Sequence, residues 1–291
     1  MSGKGNDRAA SVRARLLNVA KAQKTDFQSV LVRFALERLL YRLSVSPHAD
    51  RFLLKGALLF VLWYDTAHRL TRDADLLGFG NSEMDSVGQI FREIAAANVD
   101  DGIVFDPATV TVQEIRKEDD YGGVRVTLSG ELAKARCKVQ VDIGFGDSVV
   151  PGPIDSVFPV LLEDLPKPRI RTYPVYTVIS EKLHAIVSMG LSNTRMKDYI
   201  DLYVLAEREA LDTDLMAKAI RATFGCRGKH APAELPEGLT DVFAQNAQCR
   251  ARWSGFLRKN GLPGVPLEEV VERLAVVYGP ALRRASQRKG V

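Results

Sequence analysis

The sequence predicts an α+β fold: a small mixed sheet set between an N-terminal pair of helices and a C-terminal helical bundle. Three observations predict it. Apolar residues recur at helical spacing from Arg8 to Leu43, they alternate with polar residues in short segments between 73 and 143, and helical spacing resumes from residue 177. Pro151, Pro153, Pro159, Pro166, Pro168 and Pro174 punctuate the passage before that last region, which reads as a connection between subdomains. The expected division is 1–50 as N-terminal helices, 51–165 as a sheet domain and 166–291 as a C-terminal helical domain.

Each element has its own signal. Residues 8–24 form a basic amphipathic pattern. Asp26 suits the N-cap of a second helix, in which Val30, Leu31, Phe34, Leu39 and Leu43 fall at helical spacing until Ser46-Pro47-His48 breaks it. Residues 52–56 read as a short strand or turn leading into an apolar helix over 57–64. A strand is expected over 73–79, ended by Gly78-Phe79-Gly80-Asn81-Ser82, with Ser82 able to cap a helix running to about Ala97. The segments 110–115, 123–128 and 137–143 alternate. In the last of these, Cys137, Val139, Val141 and Ile143 share one face, and Lys138, Gln140 and Asp142 share the other. Helices are expected over about 178–189, 196–207, 213–223, 240–259 and 267–286, with a loop over 225–238.

Composition narrows the function classes. A chain of 291 residues with 46% apolar and 26% charged residues has the make-up of a globular protein of one large or two small domains. The longest apolar run, 57–64, is too short to span a bilayer, and the N-terminus lacks the apolar stretch of a secretory signal. A cytoplasmic protein without a membrane partner is therefore expected. The three cysteines, Cys137, Cys226 and Cys249, are odd in number and far apart, and the four histidines are scattered, which argues against a disulfide framework and against zinc. No long heptad seam is present, so a monomer is expected. Charge is uneven: residues 1–50 carry +5 and residues 250–291 carry +6 against a total of +4, so the middle is acidic. Basic ends around an acidic middle suit a protein that holds cations centrally and meets polyanions at its flanks.

The chemistry concentrates in Arg69-Leu70-Thr71-Arg72-Asp73-Ala74-Asp75-Leu76. Asp73 and Asp75, at i and i+2 on a strand, point to the same side. Two carboxylates held that close repel, and a divalent cation such as Mg²⁺ resolves the repulsion while also binding substrate phosphates. The turn Lys55-Gly56 precedes the pair by one helix and can present backbone N–H groups to phosphates. Asp142 lies on the polar face of another strand, where a third carboxylate would complete a two-metal cradle. Downstream, Lys182 could reach a triphosphate or pair with Asp198 or Asp201, which share a helical face.

In this order the motifs resemble the AbiEii/AbiGii toxin family of the DNA polymerase β-like nucleotidyltransferase superfamily. The resemblance rests on Lys55-Gly56-Ala57-Leu58, Arg69-x-Thr71-x-Asp73-x-Asp75-Leu76, Val141-Asp142-Ile143-Gly144-Phe145-Gly146-Asp147, Glu181-Lys182-Leu183-His184-Ala185, Arg195-x-Lys197-Asp198-x-x-Asp201-Leu202, and more loosely on Trp253-x-x-Phe256-Leu257. It implies a nucleotidyltransferase-like mixed sheet with flanking helices. It also implies Mg²⁺, with Mn²⁺ as the alternative ion, on Asp73, Asp75 and Asp142. Lys182 would contact the triphosphate of a nucleoside triphosphate co-substrate, and Asp198 would be a later catalytic aspartate. The implied activity is transfer of a nucleoside monophosphate to an acceptor, above all the tRNA acceptor end, by a toxin with a cognate antitoxin or by a phage-defence protein. The chain departs from the superfamily at Gly56-Ala57, where a hydroxyl residue is common. Phosphate holding then falls to backbone N–H groups, Lys55, Arg69 or Thr71. Transfer to a protein side chain, nucleic-acid cleavage and a catalytically inactive nucleotide-binding relative stand as competing readings.

Overall fold

A computed structural model describes residues 2–64, 71–115 and 122–287. The chain forms two compact units, one made of Met1–Gly146 with Ile154–Thr172, the other of Asp147–Pro153 with Tyr173–Val291.

The first unit holds helices α1 (Ser2–Ala22), α2 (Phe27–Ser44), α3 (Leu58–Tyr64) and α4 (Met84–Ala96). Its strands are β1 (Phe52–Lys55), β2 (Asp73–Gly78), β3 (Ile103–Ile115), β4 (Gly123–Leu132), β5 (Ala135–Phe145), β6 (Ile154–Val157) and β7 (Arg169–Thr172). They form one seven-stranded mixed sheet in the order β3-β4-β5-β2-β1-β7-β6. Strand β2 runs antiparallel to β1 and parallel to β5, and β4 and β5 form an antiparallel hairpin. Helices α1, α2 and α4 pack on the sheet. One face of the central strands is apolar, with Ala74, Leu76, Val124, Val126, Leu128, Val139, Val141 and Ile143 all buried. Each such side chain contributes roughly 1.5–3 kcal/mol by leaving water, less for alanine. The opposite face carries the polar members of the same strands, as the alternation requires.

The N-cap expectation at Asp26 holds: its Oδ1 accepts from the Ser29 backbone N–H at 2.8 Å. The helix after the glycine-rich turn starts at Met84, with Glu83 and not Ser82 at its N-cap. Strand β3 extends well N-terminal of residue 110. Its register shifts between Asp106 and Thr111, around Pro107, which has no N–H to give a ladder. The proline-rich passage contains the short strands β6 and β7 and so extends the sheet by two strands.

The second unit contains α5 (Val175–Met189), α6 (Met196–Arg208), α7 (Thr213–Cys226), α8 (Asp241–Gln245), α9 (Ala247–Asn260) and α10 (Leu267–Ser286). The helix expected over 240–259 is broken at Asn246, whose side chain caps α9 by accepting from the Gln248 and Cys249 N–H groups. Trp253 is a core residue, and its Nε1 donates to the Val265 carbonyl at 2.8 Å.

Within the first unit, α2 clamps the proline-rich segment. Both Glu37 oxygens accept from the Leu161 N–H at 3.0 Å, and Arg38 Nη1 donates to the Pro166 carbonyl at 2.9 Å. Burial pushes the Glu37 carboxyl up to about 7, against the downward pull of the Leu161 N–H and Arg38. A carboxyl raised on folding gives stability that is fully present below about pH 4.5 and is lost as pH climbs through about 7. The loss amounts to about 3 kcal/mol. Glu37→Gln, which keeps an acceptor for Leu161, should flatten this slope. Thermal melts between pH 4.5 and 8 would show the wild type losing more stability than the variant, and equal slopes would refute the assignment.

Candidate active site

The sheet register assembles the site. Lys55 stands opposite Asp75, Asp75 opposite Asp142, and Asp142 opposite Arg125. Residues directly opposite share a face, so four strands place a row of charges, cation-anion-anion-cation, across the sheet. Asp73 stands one step along on the same face, opposite Gln140. The sequence-predicted residues Lys55, Asp73, Asp75 and Asp142 thus come together on adjacent strands.

Each carboxylate is held differently. Thr71 Oγ1 donates to Asp73 Oδ1 at 2.8 Å and fixes its rotamer. Asp75 is pressed against the turn after β1. Gly56 has φ +73°, and a Cβ there would lie 2.1 Å from Asp75 Oδ2. Only glycine permits both that backbone and that approach. Asp142 is paired by Arg125, whose Nε and Nη2 donate to its two oxygens at 2.8 and 2.7 Å. Gln140 supports the pair in either amide orientation, donating to Asp142 at 3.3 Å or accepting from Arg125 at 3.2 and 3.3 Å. The Asp142 hydrogen bonds raise the Arg125 pKa above its ordinary value, and Asp73 and Asp75 add to the effect. Arg69 lies outside the described residues.

The donor set suits a hard divalent cation: carboxylate side chains share one face of adjacent strands, and Gly56, lacking a Cβ, allows Asp75 its place in that row. Among the described residues, no three acidic, histidine or cysteine side chains already stand as a metal cluster. The Arg125–Asp142 pairing accounts for the third carboxylate's engagement. Sequence reasoning missed Arg125. Its signal was its place on the polar face of the alternating segment Val124-Arg125-Val126, but its partner depends on the hairpin register.

Lys182 and Asp198 belong to the second unit and are engaged with each other. Lys182 Nζ donates to Asp198 Oδ1 at 2.9 Å and to Asp201 Oδ2 at 2.7 Å, and Arg195 Nε donates to Asp198 Oδ2 at 2.6 Å. Both aspartates are fully buried. Burial alone would raise the Asp198 pKa, but the charges of Lys182 and Arg195 outweigh it and hold the carboxyl below its ordinary value. In the same unit Arg227 bonds Asp147 at 3.0 Å and lies 3.1 Å from His184 Nδ1, whose ring meets Phe224 edge-on.

The mixed sheet thus brings together a paired-carboxylate strand, a glycine turn against it and a third aspartate on the next strand. The fold is similar to that of solved structures. A crystal structure of a candidate nucleotidyltransferase from H. pylori aligns with a TM-score of 0.51 at 17% identity, covering 89% of this chain and 97% of that one. JHP933 from Helicobacter pylori aligns with a TM-score of 0.49 at 16% identity, covering 89% and 94%. No curated protein matches the chain. The family described as "Nucleotidyl transferase AbiEii toxin, Type IV TA system" matches residues 38–275, and the chain belongs to that family. Membership implies a nucleotide substrate and an antitoxin partner. No helix of the described residues is long and apolar enough to cross a membrane.

Two variants test these placements. Gly56→Ala must strain a left-handed backbone and displace Asp75, so it should cost about 1–2 kcal/mol of stability, read by urea unfolding. Lys182→Met leaves two buried carboxylates facing each other with one cation fewer, and should cost about 3–5 kcal/mol. An unchanged unfolding midpoint for Lys182→Met would show that the lysine holds nothing together.

Proposed function

We propose that this chain transfers a nucleoside monophosphate from a nucleoside triphosphate to an RNA hydroxyl, most specifically at the acceptor end of tRNA, with release of pyrophosphate. The observation that supports it is the row Lys55, Asp75, Asp142 and Arg125, with Asp73 beside it, on one face of four adjacent strands. Asp73, Asp75 and Asp142 would hold Mg²⁺, which when bound supplies charge neutralisation to the phosphates and acidifies the attacking hydroxyl.

The chain's own residues then have distinct tasks. Thr71 keeps Asp73 in one rotamer. Gly56 lets the turn close on Asp75, so that no Cβ displaces that carboxylate from the row. Lys55, beside Asp75 in the register, balances one carboxylate and offers a cation to phosphate oxygens. In the second unit, the geometry favours a holding role for Lys182 and Asp198 within their buried cluster. Arg195, with a side chain 44% exposed, is the cation of that cluster most open to solvent. The basic segments 1–50 and 250–291 suit an RNA acceptor, whose phosphates they would draw in with a salt-dependent affinity.

The test is incubation with Mg²⁺, bulk tRNA and each α-³²P-labelled nucleoside triphosphate, with Asp75→Ala alongside. One nucleotide should label a tRNA-sized band, and Asp75→Ala should lower that labelling by at least about a hundredfold. Labelling retained by Asp75→Ala would sink the metal assignment. RNase-resistant label on protein would move the acceptor to a polypeptide.

A further inference from the structure

The Arg125–Asp142 pair poses a specific question. Asp142 stands opposite Asp75, where a shared cation would bind, yet both of its oxygens are occupied by one guanidinium, through Nε at 2.8 Å and Nη2 at 2.7 Å. Asp142 is mostly buried, its side chain 15% exposed, whereas the Arg125 side chain is 38% exposed and shares the face on which Asp73 and Asp75 lie. Arginine binds carboxylate and phosphate oxygen pairs with the same two-pronged geometry. It can therefore exchange one for the other without losing bonds.

We propose that Arg125 is a positioning residue that controls the third carboxylate: it holds both oxygens of Asp142 until a phosphate of the nucleoside triphosphate takes its guanidinium, so that Asp142 is offered to a cation only when nucleotide is present. The inference rests on the reading of the row as a cation and nucleotide site. While the pair is closed, Asp75 has a neutralised neighbour, and the row attracts a divalent cation weakly. Once Arg125 is drawn to phosphate, Asp142 stands beside Asp75 without its own cation, and the row gains net negative charge. The sheet itself need not move, because the hand-over requires only an arginine rotamer.

Two binding measurements on the full chain test this, neither of which needs turnover. The first is Mn²⁺ affinity without nucleotide, by electron paramagnetic resonance. The second is affinity for a fluorescent nucleoside triphosphate in the presence of EDTA. Arg125→Met should bind Mn²⁺ roughly tenfold more tightly, because Asp142 is released, and nucleotide roughly tenfold more weakly, because a phosphate partner is lost. Arg125→Lys, with a point charge in place of the fork, should fall between in both. Adding Asp142→Asn to Arg125→Met should abolish the Mn²⁺ gain. General damage to the fold would weaken both affinities together. That result, or any in which the two affinities do not move in opposite directions, overturns the proposal. Asp75→Ala decides the underlying reading separately: Mn²⁺ binding unchanged in that variant would refute the row as a cation site, whatever Arg125 does.

Discussion

Two aspartates held side by side on neighbouring strands repel each other. At the spacing of adjacent strands, roughly 5 Å, two carboxylates at the dielectric of a protein surface repel by on the order of 3 kcal/mol. Asp75 and Asp142 occupy such positions, and the surrounding structure answers that repulsion. Lys55 on β1 and Arg125 on β4 flank the pair in register, so the four formal charges cancel. This arrangement exists only because β2 sits between β1 and β5, and β5 between β2 and β4. The strand order is thus tied to the electrostatics of one row. The apolar alternates of the same strands anchor that order from the other face.

Both units bury charge. In the sheet unit Glu37, Arg38 and Lys55 are buried and the Arg42–Asp101 pair is sealed from solvent, while Asp142 and Arg125 keep partial access to it. In the helical unit, Asp198 and Asp201 are sealed from solvent and satisfied by Lys182 and Arg195. Such clusters add little net stability over an apolar equivalent but are costly to break. Arg227 plays a comparable part with Asp147 and His184, drawing residues distant in sequence onto α5 and α7. The helical unit is therefore specified by ion pairing as well as by its apolar seams.

Much of this was legible in the sequence, and the exceptions share a cause. The Asp26 cap, the paired carboxylates of β2, the clean alternation of β5 and the span of α10 carry local signals, and the structure has those elements. The partner of Arg125 had no local signal, because it depends on the β4–β5 register. That register is set by a two-residue turn at Ala133 and Lys134, with φ of 45° and 68°. Such turns ordinarily announce themselves with asparagine and glycine, and here neither is present. Strands β6 and β7 were hidden because four residues are too few to show a period. In addition, β7 joins the sheet by parallel pairing with β1, through Leu54 and Thr172, at long range. The engagement of Lys182 with both aspartates was one of two outcomes that the spacing allowed, and only packing distinguishes them.

The seven residues Asp147–Pro153 belong to the helical unit, although the chain on both sides of them builds the sheet. The excursion is fastened there: the Thr177 hydroxyl both accepts from the Val150 N–H and donates to the Val150 carbonyl, and Asp147 bonds Arg227. The polypeptide therefore passes from one unit to the other three times. No single cut in the chain yields two intact pieces, and a recombination event that exchanged either half for that of a relative would break both.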